Sequence, residues 1–292
     1  MNSMKRILFM ATIVVALGTI AISSCTTSRE SAVVHRPSEQ LIQATLDSIC
    51  KEGYNLYIAE RVNWVATDSA LKYCDEDQIG GNIIWQVDDS TWRVVFFDKA
   101  QEKCIFELQH SISNPKYVIS HNPRSILKSE REQIKMKETM LENAIRDYGD
   151  SLRFNGNYGR PNVDIVRIDA HTLRMYILQG VELPNIIPFG NDYSIDFDNH
   201  GALKKFRRYH KSFIPIQTVS DDGKKVVTAF HSHTKDNPYI TATDICNFLL
   251  YRGEMEQTYV LSTALDGYII YDAKQNKAFF LTHEAMKKIV KD

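Results

Sequence analysis

The 292-residue chain has no dominant charge, since 35 Lys and Arg stand against 36 Asp and Glu for a formal net charge of -1. A nucleic-acid backbone is held largely by cationic contacts, so no basic field for such a partner is present and nucleic acid is not expected as a ligand. Gly-x-Ser-x-Gly, a Walker loop and a dinucleotide fingerprint followed by an acid are all missing, which disfavours serine hydrolases and nucleotide enzymes. Cysteine is sparse: Cys25, Cys50, Cys74, Cys104 and Cys246 include no CxxC pair and no zinc-knuckle spacing. The last four permit three disulfide pairings, and the sequence selects none of them. Past the N-terminus no apolar run approaches the roughly 20 residues that a membrane helix needs. No internal repeat is visible.

At the N-terminus Lys5 and Arg6 precede an apolar run from Ile7 to Ile22, long enough for a signal-peptide core and short for a bilayer span. Ile22-Ser23-Ser24-Cys25 follows, an aliphatic residue, two small residues and a cysteine. This stretch resembles the lipobox of bacterial lipoproteins. The resemblance implies cleavage before Cys25, acylation of its thiol, and a body held at the cell envelope by lipid, facing the periplasm or the cell exterior. Lasting attachment needs two or more acyl chains, because each buried methylene contributes about 0.8 kcal/mol.

In the remainder, 24% charged residues across the chain describe a water-soluble body with ample material for a core. Residues 26–37 lack periodicity and read as a tether. Ile42, Leu46, Ile49 and Leu56 recur at helical spacing, with Gly53 as a break between one or two helices that end near Arg61. Asn82 to Val87, Trp92 to Asp98 and Lys103 to Leu108 are β-branched and aromatic runs separated by turn residues, which predicts an antiparallel meander. Ser129 to Tyr148 reads as a charged helix with Ile134, Leu141 and Ile145 on one face. Further strands are expected at Val163 to Ile168, Leu173 to Leu178, Tyr193 to Phe197 and Val226 to Phe230. A helix from Ala242 to about Arg252 follows, then three strands and a short terminal helix begun by Thr282. The predicted class is α+β: an N-terminal helix and strand meander, then a C-terminal α/β part with a mixed sheet.

The segment His231-Ser232-His233-Thr234, six further residues, then Thr241-Ala242-Thr243-Asp244 carries the most chemistry. Side chains at i and i+2 of a strand share a face, so both imidazoles can converge on one ion. An acid from the next helix start can add a third ligand and leave a fourth position for water. These residues resemble the motif of the JAMM (JAB1/MPN/Mov34) metalloprotease family, with Thr234 in place of the usual Pro and Thr241 in place of the usual Ser.

The resemblance spans roughly residues 165 to 290. It implies zinc on His231, His233 and Asp244, Thr241 positioning the tetrahedral intermediate, and an upstream glutamate as general acid/base. Glu182 is the only glutamate between Glu142 and His231 and takes that part, with Asp192 as runner-up, although Val-Glu-Leu-Pro departs from the family's context.

Other readings of the same residues stand beside this one. Thr241 and Asp244 also fit a helix-capping pair that needs no metal. His210 reads as a partly buried histidine at a strand end, or else as an outer-shell or substitute ligand. The basic run Lys204 to Lys211 reads as a solvated strand face, and Trp64, Trp85 and Trp92 as core aromatics in preference to a sugar platform.

The expected organisation is a signal peptide at 1–24, a lipidated tether at 25–37, a helix and meander region at 38–150 and a JAMM-like domain at 151–292. Two functions follow: a membrane-tethered zinc hydrolase acting on a peptide or protein amide, or a non-catalytic envelope lipoprotein that binds a protein or ligand. The layout also resembles lipoproteins common in Bacteroidetes-type bacteria, a likeness that brings no function with it.

Overall fold

A computed structural model describes residues 36–112 and 114–291. The signal, Cys25 and most of the tether lie outside the described residues. The first element is a single helix, α1 (Glu39–Tyr73), whose start is capped by the Ser38 hydroxyl accepting from the Leu41 amide at 3.3 Å. At 1.5 Å per residue it runs about 50 Å. Gly53 does not break it. A Cβ at Gly53 would lie 2.7 Å from the Ile245 Cβ and 3.0 Å from the Ala242 carbonyl, so the missing side chain lets a later helix cross close by.

Next comes an antiparallel sheet in the order β1-β2-β3-β4, built from β1 (Ile79–Asp88), β2 (Thr91–Asp98), β3 (Lys103–Ser111) and β4 (Asn114–Ser120), with β5 (Arg124–Ser125) added on β3. Strand β2 is apolar almost throughout because both of its faces are covered. Val94 and Phe96 pack with Leu56, Val62 and Ala66 of α1, while Val95 and Phe97 pack with Ile134 of α2 (Lys128–Tyr148). The buried stripe of α2 runs through Ile134, Met140 and Ala144, and Ile145, expected on the inner face, points out at 65% exposure.

The chain then forms a second antiparallel sheet, β10-β9-β7-β6, from β6 (Pro161–Asp169), β7 (Thr172–Gln179), β9 (Tyr193–Phe197) and β10 (Leu203–Arg208). A short pair joins β8 (Ile186–Phe189), which falls between β7 and β9 in sequence, to β11 (Ile214–Gln217), which follows β10. That last sheet has the order β12-β13-β14-β15, comprising β12 (Thr228–His233), β13 (Gln257–Ser262), β14 (Gly267–Asp272) and β15 (Lys277–Thr282). It is mixed: β12 and β13 are parallel and joined through α3 (Ala242–Tyr251), while the later pairs are antiparallel. Helix α4 (His283–Lys291) closes the chain. The α+β class is as the pattern predicts; β10 falls in the basic run read as a solvated strand face, while β4, β5, β8 and β11 are elements that the pattern did not reveal.

Helix α1 serves both halves. Its first turns place Ile42, Leu46 and Cys50 against Ile245, Phe248, Val260, Ile269 and Tyr271. Its later turns place Leu56, Ala59 and Val62 in a core with Trp92, Phe106, Tyr176 and Cys246. Cys50, Cys74, Cys104 and Cys246 are free thiols. Among the described residues no helix is long and apolar enough to cross a membrane.

Candidate metal centre

Strand β12 alternates with a period of two: Phe230 and Ser232 are exposed, while His231 and His233 turn inward. Helix α3 begins at the same place, capped by Thr241, whose hydroxyl accepts from the Asp244 amide at 3.1 Å. Asp244 completes the capping box by accepting at Oδ2 from the Thr241 amide at 2.9 Å and from its hydroxyl at 2.8 Å. The cap uses Oδ2, which also faces His233 Nε2 at 3.3 Å, and leaves Oδ1 wholly to the cluster. Oδ1 is buried, accepts no hydrogen bond, and faces the Nε2 atoms of His231 at 3.3 Å and His210 at 3.4 Å.

His210 is the residue that sequence reasoning set aside as an ordinary strand-end histidine. It follows β10 and is carried inward because its segment is pinned on two sides. The Tyr209 amide donates to the Asp192 carbonyl at 3.1 Å, and Asn237 Nδ2 donates to the Tyr209 carbonyl at 2.8 Å. The β8–β9 turn approaches the same stretch. Gly190 has φ +81°, and a Cβ there would lie 2.0 Å from the Ser212 carbonyl, so glycine is required on both counts.

Asp192 thereby comes to rest beside His210, accepting from its Nδ1 at 2.8 Å, and also accepts from the Thr243 hydroxyl. The left-handed Gly190-Asn191 pair next to an acid was the one local sign that this turn is built for a purpose.

The three imidazoles and Asp244 form one group, with ligand atoms all within 4.8 Å of one another and no member more than 6% exposed. His210 Nε2 lies 2.9 Å from His233 Nε2, which lies 3.1 Å from His231 Nε2 and 3.3 Å from Asp244 Oδ2. His233 Nδ1 donates to the Tyr239 carbonyl at 2.6 Å, and His210 Nδ1 donates to Asp192. Because those partners accept only, both rings carry a proton on Nδ1 and turn Nε2 inward, the tautomer that a metal-binding histidine needs. His231 stacks on Phe189 with centroids 4.5 Å apart.

Electrostatics prepares the same role. Burial would raise the Asp244 pKa, but His210, His231 and His233 outweigh it and hold the carboxyl well below its usual range. Burial pushes His231 down, against the pull of Asp244. Burial also acts to lower His210, yet the facing carboxylates of Asp192 and Asp244 prevail and raise it to about 9. An ionised Asp244 and a neutral His231 are the forms that bind a cation, whereas the raised His210 must give up its ring proton to join them. This buried group can hold a metal ion.

The other expected site residues fall as follows. Thr241 is buried, and its hydroxyl is shared between Asp244 and the Thr243 hydroxyl at 2.7 Å, so it acts as a cap. Glu182 is not brought to the cluster. It is exposed and lines a separate cleft of about 550 Å³ with Phe154, Gly156, Gly159, Arg160 and Pro161. Asp192, the runner-up, does reach the site, but with its oxygens committed to His210 and Thr243.

Comparison with known proteins adds nothing to this geometry: no protein-family model, no curated protein and no solved structure matches the chain.

Proposed function

We propose that this chain is an envelope lipoprotein whose C-terminal half is locked by a closed zinc centre and works as a binding module, not as a hydrolase. One observation carries the reading: His210 Nε2 adds a fourth protein ligand atom to those of His231, His233 and Asp244. A tetrahedral zinc with bonds of about 2.0–2.1 Å has ligand-to-ligand edges of roughly 3.3–3.4 Å. Five approaches among these side chains run from 2.9 to 3.4 Å, one of them to the other oxygen of Asp244, and one ligand atom from each residue lies within 4.8 Å of the rest, so the group can contract around such an ion. Three imidazoles and one carboxylate suit zinc, and the partners on His210 and His233 are the second layer that tunes such ligands. Four protein ligands leave no place for an activated water, and burial of all four closes the site to an amide.

The spacing of His231, His233 and Asp244 favours the alternative, a peptide or amide hydrolase. That reading needs His210 withdrawn and a free carboxylate beside the vacated position, and Glu182 lies in a separate cleft.

The test is elemental analysis of the full chain purified from membranes, with peptidase assays on the same sample. One zinc per chain, lost in His231→Ala/His233→Ala, together with no peptide hydrolysis, is the expected result. Zinc-dependent hydrolysis that the double variant abolishes would overturn the proposal.

A further inference from the structure

We infer that a cleft between α1 and the β14–β15 hairpin, together with the sheet face it meets at Phe279, binds an uncharged oligosaccharide. This rests on the binding-module reading and names the module's ligand, without using the metal.

Asp47, Lys51, Tyr54 and Asn55 follow one another on a stripe of α1 at three- and four-residue steps. Asn276, Lys277 and Phe279 stand across from them, and the cleft between the two walls measures about 560 Å³, within the roughly 300–1,000 Å³ of small-ligand sites. The walls are braced. Gln43 Nε2 donates to Asp47 Oδ1 at 2.9 Å and to the Ala278 carbonyl at 3.0 Å, which ties helix to strand. Asp272 Oδ1 accepts from the Lys274 and Gln275 amides at 2.9 and 3.0 Å, and Asn276 Oδ1 accepts from the Tyr271 hydroxyl at 2.9 Å, which fixes the hairpin turn. Among the described residues, Asp47 Oδ2, the Asn55 amide, Asn276 Nδ2 and the ammonium groups of Lys51 and Lys277 have no protein hydrogen-bond partner. They are available to hydroxyl groups in the cleft.

Phe279 is 40% exposed and carries the cleft onto the outer face of the sheet. Paired residues share a face, so the register sets Phe230, Tyr259, Ile270 and Phe279 in one row across four strands, about 14 Å from end to end. Phe230, at the far end, is 48% exposed. Two residues along, Thr228, Gln257, Asp272 and Lys277 form a polar row beside it, joined where the Tyr259 hydroxyl donates to Gln257 Oε1 at 3.0 Å. A pyranose ring presents C–H groups on its faces and hydroxyls around its rim. An aromatic row next to a polar one matches both, and aromatic contact adds to the burial of apolar area.

Charge and area select the occupant. Asp47 and Asp272 balance Lys51 and Lys277, and the neighbouring Lys274 pairs with Glu256, so the surface favours a neutral ligand over an ionic one. Four six-residue strands present a face of about 19 by 20 Å, so two copies meeting there would bury roughly 800 Å², short of the roughly 1,200 Å² of a stable interface. A peptide adding to the edge of β15 would have to displace Gln43 from the Ala278 carbonyl.

The experiment is calorimetric titration of the full chain, purified from membranes into phosphatidylcholine nanodiscs, with maltohexaose, cellohexaose, chitohexaose, mannohexaose and, as a charged control, hexagalacturonate. At least one neutral hexasaccharide should bind and hexagalacturonate should not. Phe279→Ala and Asp47→Ala/Asn55→Ala should each weaken that binding about tenfold. Phe230→Ala should weaken the hexasaccharide and leave the disaccharide of the same sugar unaffected. Binding of none of the four, equal binding of hexagalacturonate, or affinity unmoved by Phe279→Ala overturns the inference, as does any other result for Phe230→Ala. Thermal midpoints and zinc contents equal to wild type show that the variants are folded. Peptide hydrolysis or missing zinc in the same samples counts against the preceding proposal instead, so the two can fail separately.

Discussion

Replacing Glu60 with glutamine should change the pH dependence of stability more than any other single substitution away from the metal centre. Glu60 on α1 and Asp164 on β6 are each 1% exposed. Glu60 Oε2 accepts from Asn162 Nδ2 at 3.3 Å, while Glu60 Oε1 and both Asp164 oxygens are buried without a hydrogen-bond partner. The nearest compensating charge is the Lys137 ammonium on α2, itself donating to the Asn82 carbonyl at 2.9 Å. Burial, reinforced for Glu60 by its neighbour, raises both carboxyl pKa values, with Glu60 far above its ordinary range.

A raised acid contributes stability that is complete below its unfolded pKa of about 4.3 and is lost as pH climbs to the folded value. Each retained proton costs about 1.4 kcal/mol per pH unit over that window. As pH climbs through that window the native protein should therefore lose stability through Glu60. The amide introduced by Glu60→Gln has no proton to give up, so the variant should lack that slope and be the more stable protein at neutral pH. Urea unfolding followed by tryptophan fluorescence at several pH values measures the difference, and the titrations of the histidine cluster cancel between the two proteins. A constant gap between wild type and variant across the range would refute the reasoning, because it would mean that Glu60 is ionised in the fold.

Gly53→Ala should destabilise by about 1–3 kcal/mol through collision with Ile245, despite the gain of about 1 kcal/mol in helix propensity. Thermal unfolding checks it, and an unchanged midpoint would show a looser α1–α3 crossing. Asp192→Asn should weaken metal retention about 10- to 100-fold by removing the charged partner of His210, read by competition with a chelator. Wild-type retention in that variant would place Asp192 outside the site's function.

The parts of the fold that sequence revealed are those whose pattern is local. The runs in β1, β2, β3, β13 and β14 alternate or stay apolar between turn residues, and the spacing of His231, His233 and Asp244 survives intact in the strand-to-helix geometry. The parts it hid depend on distant partners. Strand β10 carries Lys204, Lys205, Arg207 and Arg208 and read as a solvated strand face; what stayed hidden was its place beside β9, where Asp196 accepts Arg207 at 2.9 Å. Gly53 looked like a break because Ile245, almost two hundred residues away, supplies the reason for it. Glu182 was chosen by elimination among glutamates, a test blind to a site completed by a third histidine. His210 read as a strand-end histidine or else as a substitute ligand, and its own neighbours could not decide between the two, since only the approach of residue 190 to residue 212 delivers it to the cluster.

The sharing of α1 between two cores also sets an order of assembly. Ile42, Leu46 and Cys50 leave the ribosome among the first folded residues, yet their partners include Val260, Ile269, Tyr271 and Ala278, close to the last. The N-terminal half of the helix has nothing to bury against until nearly the whole chain has been made, and such long closures are slow. The contact that finishes the protein therefore forms only once its last strands arrive.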